Sequence, residues 1–269
     1  MQEENNNDLK KTDKKQKTVK NRKLQIFLTL LMLIFVGVFI YVSIRLIIWI
    51  RNDIETKKLE NQMQLEILTE QSKEEQNQEN NENDEKTEPE VDFAKLEEIN
   101  SDVIGWIKIK DTYIDYPILY SDTYGYYVER DINKKYNAAG SIFVDPGTNK
   151  EFKGANTVLW GHHMRNGKMF ANLNKIYKGE LGENIEIRII TKEETYTYKI
   201  FATYVMDLDN ATIKQNLSDK EKETYIERAL KRSKIKFNTE NMDRTKEMLT
   251  LVTCTADGEQ RIVVNAIKQ

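Results

Sequence analysis

A thiolate is the strongest nucleophile among protein side chains, and at neutral pH it forms where a cation or proton acceptor stands beside it. This chain has one place for such chemistry, because it contains a single cysteine and only two histidines. Cys254 closes the run Thr250-Leu251-Val252-Thr253-Cys254, and the adjacent His162 and His163 follow Thr157-Val158-Leu159-Trp160-Gly161. Both runs read as β-strands, which puts thiol and imidazole at strand ends, where the backbone leaves a sheet and side chains can face a groove. An imidazolium there can pair with a thiolate and then protonate a departing amine. Spacing favours His162 over His163 only slightly.

An arginine joins them through a turn. Asp257-Gly258 is a hairpin signal flanked by apolar alternation. With those two residues in the loop, 256 pairs with 259, 255 with 260, and Cys254 with Arg261, their Cβ atoms roughly 5 Å apart on one face. Alternation then sets Thr250, Val252, Cys254, Arg261, Val263 and Asn265 on a mixed face. Leu249, Leu251, Ile262, Val264 and Ala266 fall on an apolar one, with Thr253 its exception. An arginine beside a cysteine favours the thiolate by charge and can donate hydrogen bonds to an oxyanion forming on an attacked carbonyl. The plainer readings are a buried structural cysteine, a solvated edge arginine and a loop histidine pair. Together the three residues favour chemistry, but periodicity alone leaves both accounts open.

The elements that must position these residues fall in the C-terminal two thirds of the chain. Eight basic residues between Lys10 and Lys23 precede an uncharged apolar run from Leu24 to Ile44, which continues past Arg45 to Ile50. Such a run is long enough to cross a bilayer, and its basic flank predicts a cytoplasmic N-terminus. A cleaved signal peptide is the competing reading, but the run is longer than a signal core and no small-residue cleavage pattern follows. We expect a basic tail over 1–23, an anchor over 24–50, and a helical stalk and polar spacer over 51–90. Residues 71–90 are too polar to offset the entropy of ordering them. From 91 to 269 short alternating segments predict a mainly β, barrel-like domain with a helical opening element. One helix interrupts it, over 218–231, where Ser218 and Glu221 form a capping-box pattern.

Composition excludes several functions. A lone cysteine rules out an intrachain disulfide framework and a Cys-rich metal site. Two neighbouring histidines at a strand end make a poor site for one ion, so we expect no metal and no cofactor. A net charge of −3 gives no general case for nucleic acid.

These segments resemble the sortase family, most closely its class B. Thr250 to Cys254 match the signature Thr-Leu-x-Thr-Cys, and Arg261 matches the arginine on the following strand. The stretch from Asn156 to Met164 is similar to the one carrying the family's histidine immediately after glycine, which selects His162 and makes His163 an accessory neighbour. Asn100 to Ile107, Ile114 to Ile118 and Ala139 to Asp145 resemble other class B blocks, while Pro146-Gly147 departs from the pattern.

The resemblance implies a closed barrel of about eight strands, with the helix inserted between the sixth and seventh. It further implies a cysteine transpeptidase with His162, Cys254 and Arg261 as catalytic residues. Arg261, Trp160 and Val252 are the expected groove residues. The implied partners are surface proteins bearing a C-terminal sorting signal and a peptidoglycan precursor amine, with the membrane reached through the N-terminal helix and the domain extracellular. A related thiol hydrolase, a pilus-linked transpeptidase and a membrane-anchored binding domain with a structural cysteine are the rival readings.

Overall fold

The computed structural model describes residues 25, 27–48, 50, 51, 54, 91–208 and 213–269. The chain forms two compact units, Met1–Leu59 and Glu60–Gln269. In the first, helix α1 (Phe27–Ile48) has 22 residues and a mean hydropathy of 2.7, long and apolar enough to cross a membrane. At 1.5 Å per residue it spans about 33 Å, close to the thickness of a bilayer core. The basic flank, most of the stalk pattern and the polar spacer expected before residue 91 lie outside the described residues.

The second unit begins with α2 (Phe93–Ile99), whose first turn is capped by Asp92 accepting from the Lys95 N–H. Eight strands follow: β1 (Val103–Ile109), β2 (Asp115–Tyr120), β3 (Ile142–Val144), β4 (Asn156–Trp160), β5 (Glu186–Ile190), β6 (Thr195–Asp207), β7 (Met248–Cys254) and β8 (Gln260–Lys268). They close into a barrel in the order β1-β2-β3-β4-β7-β8-β6-β5. A short helix α3 (Leu173–Lys178) lies between β4 and β5. The architecture is the one expected, with the inserted helix α4 (Asp219–Arg232) between β6 and β7.

Alternation decides which side chains fill the barrel. Leu249 and Leu251 of β7 and Ile262, Val264 and Ala266 of β8 point inward, joining Ile107, Ile118, Leu159, Ile187 and Ile189 in one buried core. The opposite face of the same strands is covered by α4. Ile226 and Ala229 pack there against Met248, Val263 and Ile267. Helix α4 starts where the sequence places it, because Ser218 and Glu221 complete the capping box. The hydrogen bonds from the Ser218 backbone and hydroxyl, with Lys214 adding to them, hold the Glu221 carboxyl down to about 2.

Local geometry sets the edges of two strands. Strand β2 starts at Asp115, because the Thr112 hydroxyl donates to the Ile109 carbonyl and accepts from the Ile114 N–H, closing a turn ahead of it. Strand β3 is confined to Ile142–Val144. Gly140 precedes it at φ 59°, with no room for a side chain.

Candidate active site

Three neighbouring strands deliver the expected residues to one end of the barrel. β7 pairs antiparallel with β8 in the register that sets Cys254 directly opposite Arg261. The Thr255 N–H donates to the Gln260 carbonyl at 2.8 Å, so the next pair, Cys254 and Arg261, is of the non-hydrogen-bonded kind. There Cα atoms lie only about 4.5 Å apart and side chains are closest. The hairpin loop differs from the tight Asp257-Gly258 turn. The Gly258 N–H donates to the Thr255 carbonyl at 2.9 Å, which centres the turn on Ala256-Asp257, and Gly258 follows at φ 78°. Both loops give the same register, so the cysteine–arginine opposition survives the change.

On its other side β7 runs parallel to β4, pairing Val252 with Trp160. The Gly161 N–H extends that pairing by donating to the Val252 carbonyl at 3.2 Å. His162 therefore follows at the level of Cys254, just past the end of β4. A glycine is required between strand and histidine. A Cβ at 161 would stand 2.4 Å from Ile142 Cδ1 and 2.9 Å from the Phe170 ring. The Phe170 N–H donates to the His162 carbonyl at 3.0 Å, and His163 forms an isolated bridge with Met169, so the chain folds back tightly behind the pair.

The imidazole has one defined partner. His162 Nε2 lies 2.8 Å from the Val128 carbonyl. A carbonyl only accepts, so Nε2 carries the proton and Nδ1 is the nitrogen left for exchange. Sequence reasoning missed Val128, because its contribution is a backbone oxygen 34 residues away. The loop bearing it is held on both sides. The Tyr127 hydroxyl donates to Asp102 Oδ2 at 2.5 Å and accepts from Asn100 Nδ2 at 2.8 Å. A Cβ on Gly140 would come within 2.2 Å of the Val128 oxygen. Burial and the hydrogen bond to Asp102 push the Tyr127 hydroxyl far above its ordinary range, so it stays protonated.

Arg261 rests on the indole face of Trp160, its guanidinium carbon 5.1 Å from the ring centroid. Its Nε is buried without a hydrogen-bond partner among the described residues. The Trp160 N–H donates to Asp145 Oδ2 at 2.8 Å. Burial raises the Asp145 carboxyl above the ordinary aspartate range, and the indole hydrogen bond opposes that rise. Cys254, Arg261, Trp160 and His162 are all half-buried, reachable from solvent. Val252, expected beside Trp160 in the groove wall, is instead fully buried and packs within the sheet. Among the described residues no cluster of His, Cys, Asp or Glu could hold a metal ion.

A closed eight-stranded barrel with a helix inserted between β6 and β7 thus carries the chain's lone thiol at the end of β7. A family model described as the sortase domain matches residues 107–269. Sortase B of Listeria monocytogenes is 32% identical over 166 residues, covering 61% of this chain and 67% of that protein. The crystal structure of Clostridium perfringens sortase B superimposes with a TM-score of 0.62 at 29% identity, covering 66% of this chain and all of that one. A Staphylococcus aureus sortase B–substrate complex matches with a TM-score of 0.60 at 28% identity, covering 66% of this chain and 84% of the other. The chain belongs to the sortase family, and its relatives and structural neighbours are class B sortases.

Proposed function

We propose that Cys254, His162 and Arg261 are the catalytic residues of a class B type reaction. In it the backbone of a surface protein is cleaved after threonine in a C-terminal sorting motif, and the new end is joined to a peptidoglycan amine. The observation that carries this reading is the strand register, which gathers the chain's only thiol, an arginine and a histidine at one barrel end.

The thiolate of Cys254 attacks the threonine carbonyl carbon, and the oxyanion that forms is stabilised by the Arg261 guanidinium. The C–N bond then breaks as His162 gives a proton to the departing amine, leaving a thioester on Sγ. The same imidazole takes a proton from the incoming amine as that nitrogen attacks the thioester, and the thiolate leaves. With Nε2 committed to the Val128 carbonyl, Nδ1 performs both transfers. No hydrogen bond joins the thiol to the imidazole among the described residues. This is the looser geometry common before substrate binds. Trp160 lines the approach as the platform of Arg261, whereas Val252, having no exposed surface, lies beneath.

The same reading places 1–23 in the cytoplasm, 24–50 across the membrane, 51–90 as stalk and spacer, and 91–269 as the catalytic domain outside. Its support is the apolar α1 with a basic flank before it. Protease treatment of intact protoplasts checks it: cleavage of 91–269 from outside is expected, and protection of that domain contradicts the orientation. The reaction is tested with the full chain in detergent, sorting-motif peptides ending Thr-Asn or Thr-Gly, and wall-bridge amines, followed by product mass. An amine-linked peptide rising with amine concentration is expected. Carboxylic acid as the sole product at every amine concentration identifies a hydrolase instead.

A further inference from the structure

Asp145 has no place in the reaction just described, yet it is tied to Arg261 through a single side chain. It directly follows β3, whose Phe143 pairs with Trp160 of β4. The Trp160 N–H points at Asp145 Oδ2 across 2.8 Å, and the guanidinium of Arg261 lies over the same ring at 5.1 Å. Indole thus separates a carboxylate on its N–H edge from a cation on its face. A hydrogen bond to an anion shifts electron density into the ring and makes its face more negative, which strengthens its hold on a cation. Among the described residues the Arg261 side chain forms no ion pair or hydrogen bond, so the indole face is its one defined electrostatic contact there. The backbone that carries this carboxylate is anchored: the Asp145 carbonyl accepts from the Thr148 N–H at 3.2 Å and lies within 2.7 Å of the Thr148 hydroxyl.

We propose that Asp145 is a positioning residue. By binding and polarising the Trp160 ring, it sets where the Arg261 guanidinium meets the substrate carbonyl. This rests on the catalytic reading of Arg261 given above. A purely structural Asp145 makes a different prediction. Burial disfavours its charged form, so a neutral isostere that still accepts the indole hydrogen bond relieves that cost, and stability does not fall. Only the positioning role couples this substitution to a loss of activity.

The test compares Asp145→Asn, Trp160→Phe, their double mutant and Arg261→Lys in the full chain, by kcat/KM, Tm and the Trp160 indole N–H resonance. Asp145→Asn is expected to lower kcat/KM about 3–10-fold, as expected from weakening one cation–π contact. Its Tm should match or exceed the parent, and the indole N–H signal should move upfield. Trp160→Phe, which keeps an aromatic face and deletes only the N–H link, should lose a similar factor. The double mutant should fall no further than the lower single mutant. Parental kcat/KM in Asp145→Asn, or losses that multiply in the double mutant, overturn the proposal. If Asp145→Asn folds poorly, Trp160→Phe decides alone, with parental activity as the contrary result. Arg261→Lys separates the two levels. Parental activity there sinks the catalytic reading itself, whereas a loss there with none in Asp145→Asn sinks only the positioning role.

Discussion

The outer face of the β7–β8 ladder treats its polar side chains in two opposite ways. At its centre Thr250 and Asn265 are completely buried beneath α4. There the Thr250 hydroxyl donates to Asn156 Oδ1 at 2.8 Å and accepts from Asn265 Nδ2 at 2.9 Å, and the same amide reaches the Tyr225 hydroxyl at 3.0 Å. Asn156 goes on to bind the Lys214 carbonyl at 2.9 Å, fastening the segment before α4 to the barrel. Four residues along each strand, at the mouth, Cys254 and Arg261 are left half-open, with no hydrogen bond to either side chain among the described residues. Buried polar groups are expensive unless paired, so a network that is nearly satisfied specifies structure. A thiol and a guanidinium left without hydrogen-bond partners are a cost to stability, tolerated where an incoming group will use them. One register therefore serves both ends. The centre locks α4 and the strands together, and the lock determines what meets at the mouth.

Substitutions along this face should separate the two roles. Cys254→Ala should abolish thioester formation and reduce turnover by at least about 10³-fold while leaving Tm near the parental value. A large loss of Tm would make the cysteine a core residue and erase the distinction. Arg261→Ala should lower kcat by about 10²–10³-fold, the usual cost of losing an oxyanion donor. An effect confined to KM would restrict it to peptide binding. Gly140→Ala must displace the Val128 carbonyl, because the new methyl would stand 2.2 Å from that oxygen. About a tenfold loss in kcat is expected, with a change in the ¹⁵N pattern that reports the His162 tautomer. An unchanged tautomer alongside lost activity would assign the effect to general distortion. Thr250→Val should have the smallest effect on catalysis and the clearest on folding. It removes the donor to Asn156 Oδ1 and one acceptor of the Asn265 amide, costing about 1–3 kcal/mol in denaturant unfolding, while kcat/KM should hold within about twofold. Collapse of activity at unchanged stability would break the contrast between centre and mouth.

Much of this face could be read from residue order. Period-two alternation separated Leu249 and Leu251 from Thr250 and Cys254, and an Asp257-Gly258 loop set Cys254 against Arg261, an opposition kept because the observed loop preserves that register. Ser218 and Glu221 marked the start of α4 because capping is local. The remainder depended on contacts that sequence spacing does not encode. Val128 acts through its carbonyl, which every residue has, and its position follows from the packing of Tyr127 and Gly140. Asp145 was visible only as the end of a strand block, since nothing in its neighbours announces a tryptophan edge 15 residues on. Val252 alternates correctly with Cys254 but lies deeper along the strand, where it is fully buried; alternation gives a side chain's direction and not its depth.

The central claim is that the mouth of the ladder forms a covalent bond to substrate through Cys254. It is tested most directly by trapping the full chain with a sorting-motif peptide in the absence of amine, then mapping the acylated residue by mass spectrometry. We expect one acyl group per chain, carried on Cys254, sensitive to hydroxylamine and discharged when a wall-bridge amine is added. Acylation elsewhere, or a Cys254→Ala chain that still forms the amine-linked product, would contradict the account.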